Sequence, residues 1–136
     1  MSRISGPLLD RIDIHIEVPA VPFEELSNGP PGTSSAQMRE QVTSARQIQR
    51  ERFANSKTRT NAQMSSRELR QWCPLGPIQT QRMRAAVSEM GLSARAHDKI
   101  IRVARTIADL EQSPNIEPNH IEEAINFRML DRDIWR

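Results

Sequence analysis

The chain has 136 residues, 37% of them apolar and 4% aromatic with no tyrosine, so a core must be built from Ile, Leu, Val, Met and Ala packed between helices. A single cysteine, Cys73, excludes an internal disulfide and a cysteine-rich zinc cluster and fits a reducing compartment, and three scattered histidines supply no metal site. The net charge is only +2, no apolar run approaches the ~20 residues of a membrane span and no secretory signal is visible, so the chain reads as a cytoplasmic domain without a membrane partner.

The small net charge hides an asymmetry. Between residues 39 and 70 eight Lys/Arg stand against three Asp/Glu, whereas from 109 to 136 seven Asp/Glu stand against three Arg. A basic stretch of this kind suits a polyanionic partner, and solvated helix faces are the plainer account of it.

In chain order, Ile12, Ile14, Ile16 and Val18 alternate with Asp13, His15 and Glu17, the period of two that predicts a half-buried strand. Residues 19–35 hold four Pro and two Gly among several Ser and read as an extended linker and hinge without regular structure over most of its length. Ser35 is placed to cap a helix over 36–54, with Met38, Val42, Ala45, Gln49 and Phe53 as its inward stripe. Arg39, Arg46 and Arg50 fall off that stripe and face solvent. A polar loop over 54–65 follows, then a short helix capped by Ser65 or Ser66 that runs to Trp72 and is stopped by Pro74, Gly76 and Pro77.

A helix over 78–90 is expected to end at Gly91 in a left-handed cap. Ser93 then caps the clearest helix, reaching about residue 112 on a stripe of His97, Ile100, Ile101, Ala104, Ile107 and Ala108, widened by Val103 and Leu110. Ser113, Pro114 and Asn115 break the chain. The last helix starts with Pro118 in its first turn, buries Ile121, Ala124, Ile125 and Arg128 or Met129, and continues through residues 130–132 on the surface. The expected order is one strand, a linker and about five helices, with no internal repeat.

Two arginines sit oddly. Arg95 lies in the first turn of its helix, where a cation opposes the dipole at a cost of roughly 0.3–1 kcal/mol. The same turn attracts anions through its free N–H groups, so a bound phosphate would make the arginine useful. The plain alternative is an ion pair with Asp98. Arg11 stands at the root of the expected strand, where its guanidinium could grip a phosphate with two parallel donors. Its plain alternative is a bridge to Asp10 or Asp13. Spacing alone decides neither. Cys73, beside Trp72 and Pro74, reads as a buried structural thiol, and His15, His97 and His120 receive no chemical role.

Taken together, "RISGPLLDRIDIHIEVP", "MGLSARAHDKIIRVARTIADLE" and "IEPNHIEEAINFR" resemble the C-terminal part of the Mg-chelatase-like AAA+ ATPases, on the side of the competence-related ComM/YifB branch. The resemblance implies a mainly α fold, a small helical lid bundle over 36–136. Before it would come the 19–35 linker and a remnant of the ATPase core, 1–18, that carries the finger strand. It implies that Arg11 is an arginine finger reaching the γ-phosphate of the adjacent subunit, a contact worth ~10³–10⁵ in rate. Arg95 would be the second sensor, touching γ-phosphate in its own subunit. ATP and Mg would belong to the intact parent, with none expected on this chain alone.

The partners implied are the N-terminal AAA+ core of the same protein, further copies in a hexamer, and DNA, for which Arg39, Arg46 and Arg50 are the candidate contacts. The function implied is coupling of ATP binding and hydrolysis to DNA processing such as branch migration, recombination or natural transformation. A metal-insertion motor and a free-standing helical interaction or DNA-binding module are the alternatives. Nothing in the chain reads G-x-x-x-x-G-K-[ST], and no apolar strand ends in paired acids, so the chain by itself is expected to be inactive.

Overall fold

The computed structural model describes residues 6–16, 18 and 20–128. Its elements are α1 (Gly6–Arg11), α2 (Phe23–Asn28), α3 (Ser35–Arg52), a 3-10 turn at Asn61–Gln63, α4 (Ser66–Trp72), α5 (Pro77–Met90), α6 (Ala94–Leu110) and α7 (Pro118–Asn126). The fold is mainly helical, as expected.

Three of these helices begin where a serine oxygen can accept an otherwise orphaned N–H. Ser34, Ser65 and Ser93 accept from Gln37, Glu68 and Ala96 at 3.1, 3.2 and 3.1 Å. Gln37 and Glu68 reach back to the cap N–H groups, closing two capping boxes. The first cap is Ser34, one residue before the expected Ser35, because Gln37 then falls at the position that reciprocates. At the other end of α5, Gly91 takes φ 61°, and its N–H bonds the Val87 carbonyl.

α6 is the centre of the bundle. α6 packs against α7, α3 and α4, and its Ile100, Ala96, Ala104 and Ala108 are fully buried. α7 contributes Ile121, Ala124 and Ile125, α5 contributes Met83 and Ala86, and Phe53, Met64, Leu69, Cys73 and Ile116 complete one continuous core. Each large aliphatic side chain buried here adds about 1.5–3 kcal/mol. Phe53 and Trp72 meet edge to face with centroids 6.4 Å apart, joining the end of α3 to α4. Cys73 is buried as expected, and desolvation pushes its thiol up to about 11.

Four expectations need correction. No strand forms among the described residues over 12–18; α1 precedes an irregular segment instead. A lone strand has no neighbour for its ladder bonds, and these backbone groups are satisfied by the bundle. The His15 N–H donates to the Phe127 carbonyl at 2.5 Å, the Arg128 guanidinium donates to the Ile12 carbonyl, and the Lys99 ammonium pairs with Asp13.

The buried face is also inverted: His15 is 5% exposed, while Ile14, Ile16 and Val18 are exposed, Val18 by 77%. Glu17 lies outside the described residues.

Leu110, expected to widen the α6 stripe, is 40% exposed, whereas the linker keeps most of its described length irregular around the six residues of α2. The inward stripe of α3 holds only from Ala45 onward, for Met38 and Val42 are exposed. Of the two candidates for the last buried position, Arg128 is fully buried; Met129 and the expected extension over 130–132 lie outside the described residues.

Candidate functional site

Arg95 occupies the second position of α6 and is exposed. Ser93 Oγ takes the Ala96 N–H, and the first intrahelical bond is His97 N–H to the Ser93 carbonyl at 3.0 Å. That leaves the N–H groups of Ala94 and Arg95 aimed out of the helix end. The plain alternative for Arg95, a pair with Asp98, is not what the structure has. Asp98 instead faces the His97 ring at 3.1 Å, and among the described residues Arg95 has no ion-pair partner.

Arg11 closes α1 and is exposed; a cation there complements the negative helix end. The carboxylate of Asp13, one of its expected partners, is taken by Lys99. Lys99 stands one turn after Arg95 on the same face of α6. The ion pair ties the segment just after Arg11 to α6 one turn beyond Arg95.

Arg39, Arg46 and Arg50 are all exposed on α3. At 100° per residue they fall within about 40° of one another on the helix, a stripe about 16 Å long. The structure does not bring this stripe to Arg95. The end of α3 is joined to the other end of α6 by Arg52, whose guanidinium donates to Asp109 at 2.7 and 2.8 Å. Fourteen residues, about 21 Å of helix, separate Asp109 from Arg95.

The joint between α3 and α6 is a buried polar network that the sequence pattern did not disclose. Asp109 also accepts from Asn61 Nδ2 at 2.8 Å and pairs with Arg105 at 3.2 Å. Asn61 in turn accepts from Arg52 at 2.9 Å, and its N–H donates to Gln49 at 2.9 Å. Arg105 also donates to the Ser113 and Pro114 carbonyls at 2.8 and 3.2 Å, while its buried Nε finds no partner among the described residues. Burial pulls the guanidinium pKa of Arg105 down, and the Asp109 carboxylate counters it. A signal was present: Arg105 and Asp109 stand four apart, between buried positions of the α6 stripe.

The remaining histidine of interest, His120, is a cap. Its Nδ1 accepts the Glu117 N–H at 2.9 Å, which fixes the Nε2 hydrogen that points at Glu111, 2.6 Å away.

Comparison with known proteins now bears on these residues. The family profile described as "Magnesium chelatase, subunit ChlI C-terminal" matches residues 32–128, and that described as "Magnesium chelatase, subunit ChlI" matches residues 1–26. The chain is 41% identical over 133 residues to the competence protein ComM of Haemophilus influenzae, covering 97% of this chain and 25% of ComM. It is 39% identical over 133 residues to the uncharacterized protein YifB of Escherichia coli, covering 97% of this chain and 26% of YifB. An uncharacterized protein of Mycobacterium tuberculosis is 32% identical over 130 residues, 94% of this chain and 25% of the relative. The chain thus spans about a quarter of the length of the curated relatives it matches.

Proposed function

We propose, for a chain that belongs to the magnesium-chelatase-like family and to its ComM/YifB group, that it is the ATP-sensing lid of a DNA-processing motor. The observation that carries this reading is Arg95: an exposed guanidinium in the first turn of α6, beside outward N–H groups, with its obvious carboxylate engaged elsewhere. Such a turn suits the terminal phosphate of a nucleotide held by an ATP-binding core outside this chain.

ATP supplies the transferred phosphoryl group. Arg95 holds its charge within the same subunit, and Arg11 reaches the site of the adjacent subunit in a hexameric assembly, where it counters charge that grows in the transition state. Among the described residues no group of three or more His, Cys, Asp or Glu could hold a metal ion. The Mg²⁺ ligands are therefore assigned to the core, and the arginines act on phosphate charge alone.

The stripe of Arg39, Arg46 and Arg50 contacts DNA phosphates. ComM carries the name of a competence protein, which favours DNA over a metal-insertion substrate.

The test is turnover by the ATPase assembled with its own core. Arg11→Ala is expected to lower kcat by roughly 10³-fold or more, with KM for ATP little changed. Arg95→Ala is expected to weaken nucleotide binding as well. Full turnover in both variants would end the proposal. For DNA, removing the three α3 arginines together should reduce the slope of log affinity against log salt by about 2–3.

A further inference from the structure

We infer that the first half of α3 docks into a groove along α6 of a second copy of this chain. The inference is independent of the nucleotide reading, and where the contact forms it takes Arg39 and Arg46 from the proposed DNA stripe and leaves Arg50 to it.

Every residue from 35 to 43 is exposed, and within this stretch Met38 and Val42 are exposed by 53% and 51%. Such turns are marginal in water without a surface to pack on. The two side chains stand one turn apart, about 6 Å along the axis. They continue the stripe that Ala45 and Gln49 bury further down the helix. Arg39 and Arg46 run along one side of them.

A complementary surface lies elsewhere on the molecule. A groove of about 470 Å³ runs along α6, lined chiefly by apolar side chains including Ile14, Val103, Leu110 and Phe127. Val103 and Leu110 are two turns apart, about 10 Å, which accommodates the Met38 and Val42 spacing. The cations that line it are already engaged: Lys99 with Asp13, and Arg102 with the Met64 carbonyl at 2.8 Å. The exposed acids Glu111 and Glu123 also line it; Glu111 already meets His120, and Glu123 has no ion-pair partner among the described residues. A basic, apolar helix face thus meets an apolar groove with acidic residues.

The occupant is another copy because the helix cannot reach its own groove. The far end of α3 is fixed to α6 by the Arg52–Asp109 pair, and the helix is a stiff rod whose first turns stand clear of the bundle. Each copy carries one helix and one groove, so the contact is head-to-tail and propagates around a ring or along a filament.

The experiment mixes Val42→Cys chains with Leu110→Cys chains under mild oxidation; the native Cys73 is buried. A mixed disulfide is expected several-fold above that from Val42→Cys with Gln81→Cys, a control on α5. It should fall with added salt and with Arg39→Glu and Arg46→Glu together, and Glu123→Arg should partly restore it. Circular dichroism confirms that each variant is folded.

No excess of mixed disulfide over the control would overturn the inference, as would a Val42–Val42 disulfide dominating when that variant is oxidised alone. A longer chain in which Met38 and Val42 are protected at all dilutions would overturn it too, since the cover would then be intramolecular.

Discussion

Replacing Asp109 by alanine is expected to destabilise the bundle by about 3–5 kcal/mol, because it strands buried charge. The carboxylate is fully buried and meets two guanidiniums, those of Arg52 and Arg105, whose side chains are 9% and 3% exposed. Among the described residues alanine removes the only carboxylate paired with either, and the Asn61 amide loses an acceptor too. Arg52→Met is the informative comparison. It leaves Asp109 with Arg105 and Asn61 and should cost less, about 1–3 kcal/mol.

A domain of this size is stable by about 5–15 kcal/mol, so the Asp109 variant should lose a large share of that and about 10–20 °C in Tm. Urea and thermal unfolding followed by circular dichroism at pH 7 measure both. A loss under about 1 kcal/mol for Asp109→Ala, the range of an exposed pair, would refute the reasoning. So would a larger loss for Arg52→Met.

Gly91→Ala should cost about 1 kcal/mol through backbone conformation alone, since φ is 61° and an added Cβ meets nothing within 4 Å; Gly91→Asn should cost less by the same melting assay. The Cys73 thiol, pushed up to about 11 by burial, should resist a thiol reagent at pH 8 in the folded protein and react promptly in urea. Glu122 is held below its usual 4.5 by the hydrogen bond from Arg82, which ties α7 to α5. A depressed folded value means that the stabilisation is present above about 4.5 and is lost as pH falls through the folded value. Because the pair is largely exposed, Glu122→Gln should cost no more than about 0.5 kcal/mol at pH 7, with the difference from the parent shrinking as the pH falls below the usual 4.5.

What could be read in advance divides along physical lines. Local signals worked where the deciding partner is local: Ser65 and Ser93 as caps, Gly91 as the left-handed stop, the wide stripe of α6 and Pro118 at the start of α7 are all within one turn of what they control. The strand over 12–18 failed because alternation states which residues share a face but not whether a sheet exists to pair with. His15 went inward as residues 12–15 docked on Lys99, Phe127 and Arg128, contacts more than eighty residues away in sequence. The α3 stripe failed at Met38 and Val42 because a helix can carry an apolar face beyond the bundle that would cover it. For the candidate site, Arg11 and Arg95 could be singled out by their positions, but the tie of the segment after Arg11 to α6 runs through Lys99 and Asp13, which no local pattern linked.

The same geometry sets how the two charged regions can communicate. α6 carries Arg95 near one end and Asp109 near the other, and an α-helix of this length is stiff along its axis. Asp109 grips Arg52, and Arg52 lies two residues beyond Arg50 in α3, so the basic stripe is fastened to the far end of the helix that bears the sensor candidate. Within the proposed function, a displacement of Arg95 toward phosphate moves α6 as a unit and takes the α3 stripe with it only while that joint holds. Arg52→Met loosens the joint at a cost the fold can bear and leaves Arg11 and Arg95 untouched. In the ATPase assembled with its core, the variant is expected to keep basal ATP turnover and to lose several-fold in stimulation by DNA. Equal stimulation in variant and parent would show that the two ends of α6 are not coupled through this ion pair.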